Sequence, residues 1–146
     1  MLGRLPSFDY YRPATLDETL TAMERLNGNF CVLAGGTDLL VGMKERRGRH
    51  PALLDIKALP ELAGIRADNG TLCLGATVTT RAIAQSPLAI AQSPLVRERF
   101  PMLFHSMKLL GSMQIGNRAT IGGNLANGPP AADGAPPLPA LDASGK

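Results

Sequence analysis

The sequence predicts a mixed α+β fold, and three observations predict it. Helix and strand signals alternate through the first half of the chain, a two-stranded hairpin is written into the middle, and apolar residues at helical spacing return after residue 100. The 146 residues and 15.4 kDa suit one domain, or two small lobes sharing a core. A chain of this size buries roughly 70% of its unfolded surface. Hydrophobic residues make up 45% and charged residues 18%, a globular balance that excludes a mainly disordered chain.

The first element is the clearest. Thr15-Leu16-Asp17-Glu18 is a capping box, in which the Thr15 hydroxyl accepts from the Glu18 amide and the Glu18 carboxylate reaches back to Thr15. Leu16, Leu20, Met23 and Leu26 follow at helical spacing, and Asn27-Gly28 stops the helix. Phe30-Cys31-Val32-Leu33 reads as a short buried strand running into Ala34-Gly35-Gly36-Thr37-Asp38. Leu39, Leu40, Val41 and Met43 predict a second helix started by Thr37 or Asp38, and Ala52 to Ile56 a further strand. Asn69-Gly70 between Gly64-Ile65-Arg66-Ala67 and Thr71-Leu72-Cys73-Leu74 is a hairpin signal. Thr80 to Gln85 reads as a short helix. Phe100-Pro101 opens a longer one through Leu103, Phe104, Met107 and Leu110, with proline suited to its first turn.

Two local features break this pattern. Ile83-Ala84-Gln85-Ser86-Pro87-Leu88 recurs as Ile90-Ala91-Gln92-Ser93-Pro94-Leu95, a tandem duplication that lengthens a connector and is too short for a solenoid. From Gly111 the chain turns glycine-rich, with a short helix expected near Leu138 to Ala143.

Composition narrows the function. Aromatics are 4% and Trp is absent, against base stacking on nucleic acid. The net charge of +3 is mildly basic. Lys44, Arg46, Arg47 and Arg49 form either an anion patch or a solvated helix end. Cys31 and Cys73 lie far apart without a CxxC, so buried inert thiols and a reducing cytoplasmic setting are expected. The N-terminus lacks a signal-peptide core, and no apolar run approaches 18 residues. His50 and His105 make no ligand spacing, so no metal site is expected. Ser112 lacks the surroundings of a nucleophile elbow, and no side chain asks for acid–base catalysis, so redox chemistry would belong to a cofactor.

Ala34-Gly35-Gly36-Thr37-Asp38 carries the first candidate site. Glycines let backbone N–H groups approach an anion, and the following helix start favours negative charge. A phosphate or pyrophosphate suits it; a plain tight turn capped by Thr37 is the other reading. Thr120-Ile121-Gly122-Gly123-Asn124 repeats the logic, and two such turns fit both phosphates of a dinucleotide. Asp133 suits a sugar or ribityl hydroxyl, or a solvated loop. The P-loop and the Rossmann fingerprint are both absent.

Taken in order, Val32-Leu33-Ala34-Gly35-Gly36-Thr37-Asp38-Leu39, Gln114 to Asn127 and Pro130-Ala131-Ala132-Asp133 resemble the FAD-binding medium subunit of the molybdenum hydroxylases. These include the xanthine, aldehyde and carbon monoxide dehydrogenases. Tyr11 to Leu16 and Leu74 to Thr79 also match. The resemblance implies an FAD-binding domain of the vanillyl-alcohol-oxidase type, two α+β lobes with the cofactor between them. Residues 1–58 would be the first lobe and 59–146 an incomplete second lobe, with the family's C-terminal domain absent. It places the pyrophosphate on Ala34 to Asp38 and Thr120 to Asn124, the ribityl chain on Asp133 and an apolar contact at Leu110. It implies an oxidoreductase component within a hetero-oligomer. A small iron–sulfur subunit holds [2Fe-2S] clusters, a large subunit holds molybdopterin, and FAD passes electrons to NAD, a quinone or another acceptor. Neither nucleic acid nor a membrane span is implied. Gly116 stands where arginine is common and Pro129 where serine is common. The shortened second lobe leaves a different class of reading open, a truncated non-catalytic remnant or interaction module that does not hold FAD by itself.

Overall fold

The structure, a computed structural model, describes residues 4–48, 51–87, 98–109 and 112–127. The second copy of the tandem repeat, Arg49, His50, Leu110, Asp133 and the helix expected near Leu138 lie outside them.

The first half folds around a parallel sheet. Strand β1 (Asp9–Tyr11), helix α1 (Leu16–Leu26), strand β2 (Cys31–Leu33), helix α2 (Leu39–Lys44) and strand β3 (Ala52–Asp55) follow one another. The sheet order is β1-β3-β2 with both pairs parallel. Only β3 is flanked on both sides, and all four of its residues are buried. One face of the sheet packs Leu33 and Leu53 against Met43 of α2, with Phe8, Cys31, Leu39 and Leu40 around them.

Helix α1 starts at its capping box, with the return bond shifted one residue, to Ala14 instead of Thr15. The Glu18 amide donates to Thr15 Oγ1 at 3.2 Å, and Glu18 Oε2 accepts from the Ala14 amide at 2.7 Å. Asn27 ends it at φ 46, where its amide donates back to Met23 and Glu24. Its orientation differs from the sequence expectation. Thr19 is buried, with Ala22 and Leu26 half-buried beside it, while Leu16, Leu20 and Met23 face outward. The small Thr19 and Ala22 face the interior, and the larger apolar stripe turns to the flank. Exposure rises with distance from the buried face, from Met23 at 36% to Leu16 at 42% and Leu20 at 50%.

The second half begins after a 3₁₀ turn (Pro60–Leu62). Strands β4 (Ile65–Asp68) and β5 (Thr71–Leu74) form the antiparallel hairpin. Asn69 and Gly70 both take positive φ, 46 and 79, the type I′ geometry that matches the twist of a two-residue hairpin. Helices α3 (Thr80–Ala84), α4 (Pro101–Leu109), α5 (Met113–Gly116) and α6 (Ile121–Asn127) complete the described chain. A second core joins Val78, Ile83, Leu103, Phe104, Met107 and Ile121, with Ile65, Leu72 and Leu74 of the hairpin against it.

Two further expectations are corrected. The second glycine pair, expected as a turn, lies in the first turn of α6, which begins at Ile121, and Ser112 caps the short helix α5 before it. Cys73 is exposed and Cys31 half-buried, since a lone hairpin leaves one face of β5 to solvent.

Candidate functional site

The two glycine pairs meet where the halves of the chain touch. A Cβ on Gly35 would lie 2.2 Å from the Arg118 carbonyl oxygen and 3.0 Å from Ala119 Cα, so only glycine permits this approach. A Cβ on Gly123 would stand 4.0 Å from Ala34 Cβ. Gly36 takes φ +74, the left-handed turn that swings the chain from β2 into α2. Asp38 sits at the start of α2 without a side-chain cap bond.

The two pairs play different parts. Among the described residues, the backbone N–H groups of Gly35, Gly36 and Thr37 donate to no protein acceptor. Gly35, Gly36 and Thr37 are half-buried, and Asp38 is exposed. The amides of the second pair are spent internally. Ile121 donates to Val78, Gly122 to Ala76, Gly123 to Thr120 Oγ1 and Asn124 to Thr120. Gly122 is there for close packing, because its Cβ would fall 2.7 Å from the Ala76 carbonyl. The expectation of two equivalent amide-lined turns is therefore corrected: the first offers donors, and the second is a tightly seated support.

Asn124 adds a polar group of its own. Its Oδ1 is buried with no hydrogen-bond partner among the described residues. A buried acceptor left unpaired costs about 1–3 kcal/mol. A ligand hydroxyl would satisfy it, and with the amide turned over its N–H₂ would serve a phosphate oxygen. Unspent amides on the first loop and an orphaned side-chain oxygen in the first turn of α6 fit the diphosphate and hydroxyls of FAD.

Val32, Leu33 and Leu39 flank the first loop. Leu33 is buried in the sheet core, Leu39 packs at its margin, and Val32 is exposed on the edge strand β2. Thr120 and Ile121 are buried, so Thr120 supports the loop while Ile121 belongs to the second core. Leu110 and Asp133 lie outside the described residues. A cleft of about 300 Å³ opens elsewhere on the second half, at Arg81, Met107, Ser112 and Met113, away from both glycine pairs.

Sequence reasoning missed a polar cluster beneath the first loop. Asp55 closes the buried strand β3. Its Oδ2 accepts from the Tyr10 hydroxyl at 2.5 Å and pairs with Lys57 Nζ at 2.8 Å, while Oδ1 accepts from the Lys57 amide at 2.9 Å. Lys57 Nζ also donates to the Ala34 carbonyl at 3.2 Å. Burial pushes the Asp55 carboxyl up, but the bonds from Lys57 and Tyr10 and the Lys57 charge outweigh it and hold it below its usual value. The carboxylate in turn raises Tyr10. The signal was present in Ala52-Leu53-Leu54-Asp55, because a carboxylate ending a buried strand needs partners.

The remaining candidates are ordinary. Arg47 pairs with Glu45 on the exposed end of α2. Burial raises the Cys31 thiol, which keeps it protonated. Among the described residues no three His, Cys, Asp or Glu side chains gather into a metal site, and no helix is long and apolar enough to cross a membrane.

Comparison with solved structures defines the class. Carbon monoxide dehydrogenase from Hydrogenophaga pseudoflava, in a form lacking the Mo-pyranopterin moiety, superposes with a TM-score of 0.78 at 35% identity. The match covers 87% of this chain and 42% of that one. Quinoline 2-oxidoreductase from Pseudomonas putida 86 superposes at 0.74 and 28% identity, over 84% and 40% of the two chains. The fold is thus the FAD-binding α+β fold of these oxidoreductases. Residues 6–145 match the family described as the FAD binding domain in molybdopterin dehydrogenase, and the chain belongs to that family. The carbon monoxide dehydrogenase medium chain of Hydrogenophaga pseudoflava is 36% identical over 128 residues, covering 88% of this chain and 42% of the relative. Caffeine dehydrogenase subunit beta of Pseudomonas sp. is 33% identical over 94% of this chain and 44% of the relative. The chain therefore spans less than half the length of these relatives.

Proposed function

We propose that this chain binds FAD as the flavin portion of a molybdenum-hydroxylase-type dehydrogenase. The observation that carries the reading is the meeting of the two glycine-pair segments, with the amides of residues 35–37 unspent on the first and Asn124 Oδ1 buried without a partner on the second. Residues 34–38 hold the diphosphate through backbone N–H groups and the Thr37 hydroxyl. Val32, Leu33 and Leu39 shape the approach to that loop. Thr120, Ile121, Gly122 and Gly123 seat the opposing wall, and Asn124 takes a ligand hydroxyl or phosphate oxygen. Leu110 and Asp133 belong to the same proposal, as apolar contact and ribityl partner. Residues 1–58 and 59–146 act as the two lobes of the site, each with its own core.

FAD, when bound, supplies the redox chemistry, taking up electrons and passing them on singly or in pairs. The chain's part is to bind and orient it. Electrons arrive from [2Fe-2S] clusters of a small subunit, reduced by a molybdopterin large subunit, and leave to an acceptor such as NAD or a quinone. Such a hetero-oligomer operates in the cytoplasm.

The test is FAD titration of the purified 146-residue chain by quenching of flavin fluorescence. A one-to-one complex with a Kd of about 1 μM or tighter is expected. A folded chain that takes up no FAD at about 100 μM would reject the reading.

A further inference from the structure

The Ala34–Gly35 peptide is held from one side. Its carbonyl accepts from Lys57 Nζ at 3.2 Å. The amide plane is rigid and trans, so a fixed C=O fixes the N–H of Gly35 in the opposite direction. That N–H is the first of the run that donates to no described protein acceptor. The preceding carbonyl, of Leu33, accepts from the Ile56 amide at 3.1 Å, which continues the sheet one residue past β3. The last carbonyl of β2 and the first of the loop are thus gripped by consecutive residues after β3, one through backbone and one through a side chain.

Lys57 is itself aimed. Asp55, its side chain 3% exposed, pairs with Nζ at 2.8 Å, and Tyr10 holds the same carboxylate oxygen from β1. The Lys57 side chain is 38% exposed, so its ammonium lies at the rim of the sheet, at the root of the first glycine loop. A lysine required only to neutralise Asp55 would have no need of the Ala34 carbonyl. A simple surface lysine would have no buried carboxylate.

We propose that Lys57 is a positioning residue for the diphosphate site: oriented by Asp55 and Tyr10, it fixes the Ala34–Gly35 peptide so that the loop amides are presented to the ligand. This rests on the reading of residues 34–38 as the diphosphate cradle. Lys57 acts through the peptide, and its ammonium is largely neutralised by Asp55. Its removal therefore weakens every ligand that carries the diphosphate, whatever lies beyond it.

The experiment uses the full chain with Lys57→Met, Lys57→Arg and the double variant Lys57→Met with Asp55→Asn, which leaves no unpaired buried carboxylate. Lys57→Met is expected to raise the Kd for FAD and for ADP by about tenfold each, the loss of one charge-assisted hydrogen bond. Lys57→Arg recovers most of both. The ¹H–¹⁵N heteronuclear NOE of Gly35 and Gly36 falls in Lys57→Met and returns in Lys57→Arg, while those of Leu53 and Leu103 hold. If Lys57→Met does not fold, the double variant carries the same expectations. Unchanged affinity in the variant that folds overturns the proposal. If the wild-type chain binds neither FAD nor ADP, the reading of the site has failed, and the NOE alone judges Lys57: equal values with and without it overturn the positioning role.

Discussion

Asp55 is the residue on which the first half of the chain turns electrostatically. It is a buried carboxylate with three donors from two residues, Tyr10 and Lys57. Its pKa is held below the usual value near 4, so it stabilises the fold above that pH and the contribution fades as pH falls through its folded pKa. Tyr10 is raised, chiefly by its bond to Asp55, with burial and the carboxylate charge adding and Arg12 opposing. Its share is complete below about pH 10 and is lost as pH climbs through the raised value. The cluster therefore contributes a plateau between about pH 5 and 9. Replacing Tyr10 with Phe is expected to lower stability at pH 7 by about 1 kcal/mol, a modest figure because the ring is half exposed. The variant should also lose the part of the alkaline decline that belongs to this hydroxyl. Urea titrations at pH 4, 7 and 10.5 measure both, and a variant matching the wild type at pH 7 would remove Tyr10 from the network. None of this was legible at Tyr10 or Lys57, which look like surface residues. The partners are 45 and 2 positions from Asp55, and only the parallel pairing of β1 with β3 brings Tyr10 across.

At the scale of elements, local chemistry wrote the boundaries and tertiary packing chose the faces. The capping box fixed where α1 begins, and Asn69-Gly70 fixed the hairpin, because each acts over four residues or fewer. The facing of α1 was not legible. Its apolar residues cover a wide arc, and the edge carrying Thr19 and Ala22 is the one the fold buries. Helix α6 was hidden for a related reason. Gly122, Gly123 and Asn124 are poor helix formers, yet its first amides gain the carbonyls of Val78 and Ala76 from a neighbouring loop. The orientation of α1 has a direct test. Leu20→Gln is expected to cost about 0.5 kcal/mol or less, as a surface change on a helix. Leu103→Ala, which empties a site 2% exposed in the second core, should cost about 2–5 kcal/mol. Equal losses in chemical denaturation would mean that Leu20 is packed.

At the scale of the molecule, the described residues form two cores that meet at a seam. Leu33, Met43 and Leu53 anchor one core, and Ile83, Leu103, Phe104 and Ile121 the other. The glycine loops lie at the contact between them, at Gly35 against Arg118 and Ala119. That much of the site was legible as residue types and order, since paired glycines announce close approach wherever they occur. Their unequal roles were not, because the amides of Ile121 and Gly122 are taken up by Val78 and Ala76, more than 40 residues away in the chain. A ligand at a seam adds its binding energy only to states in which both sides are folded. FAD at about 100 times its Kd is therefore expected to stabilise the chain by about 2.7 kcal/mol, roughly 5–10 °C in thermal midpoint. If the amides of residues 35–37 carry the binding, ADP gives a substantial part of that shift and riboflavin, which lacks the diphosphate, gives none. Gly35→Ala should remove the shift for both FAD and ADP, because the added Cβ meets the Arg118 carbonyl and forces the seam apart. Riboflavin matching FAD in a thermal scan would move the binding energy to the flavin ring, and the glycine pairs would then serve only to join the two cores.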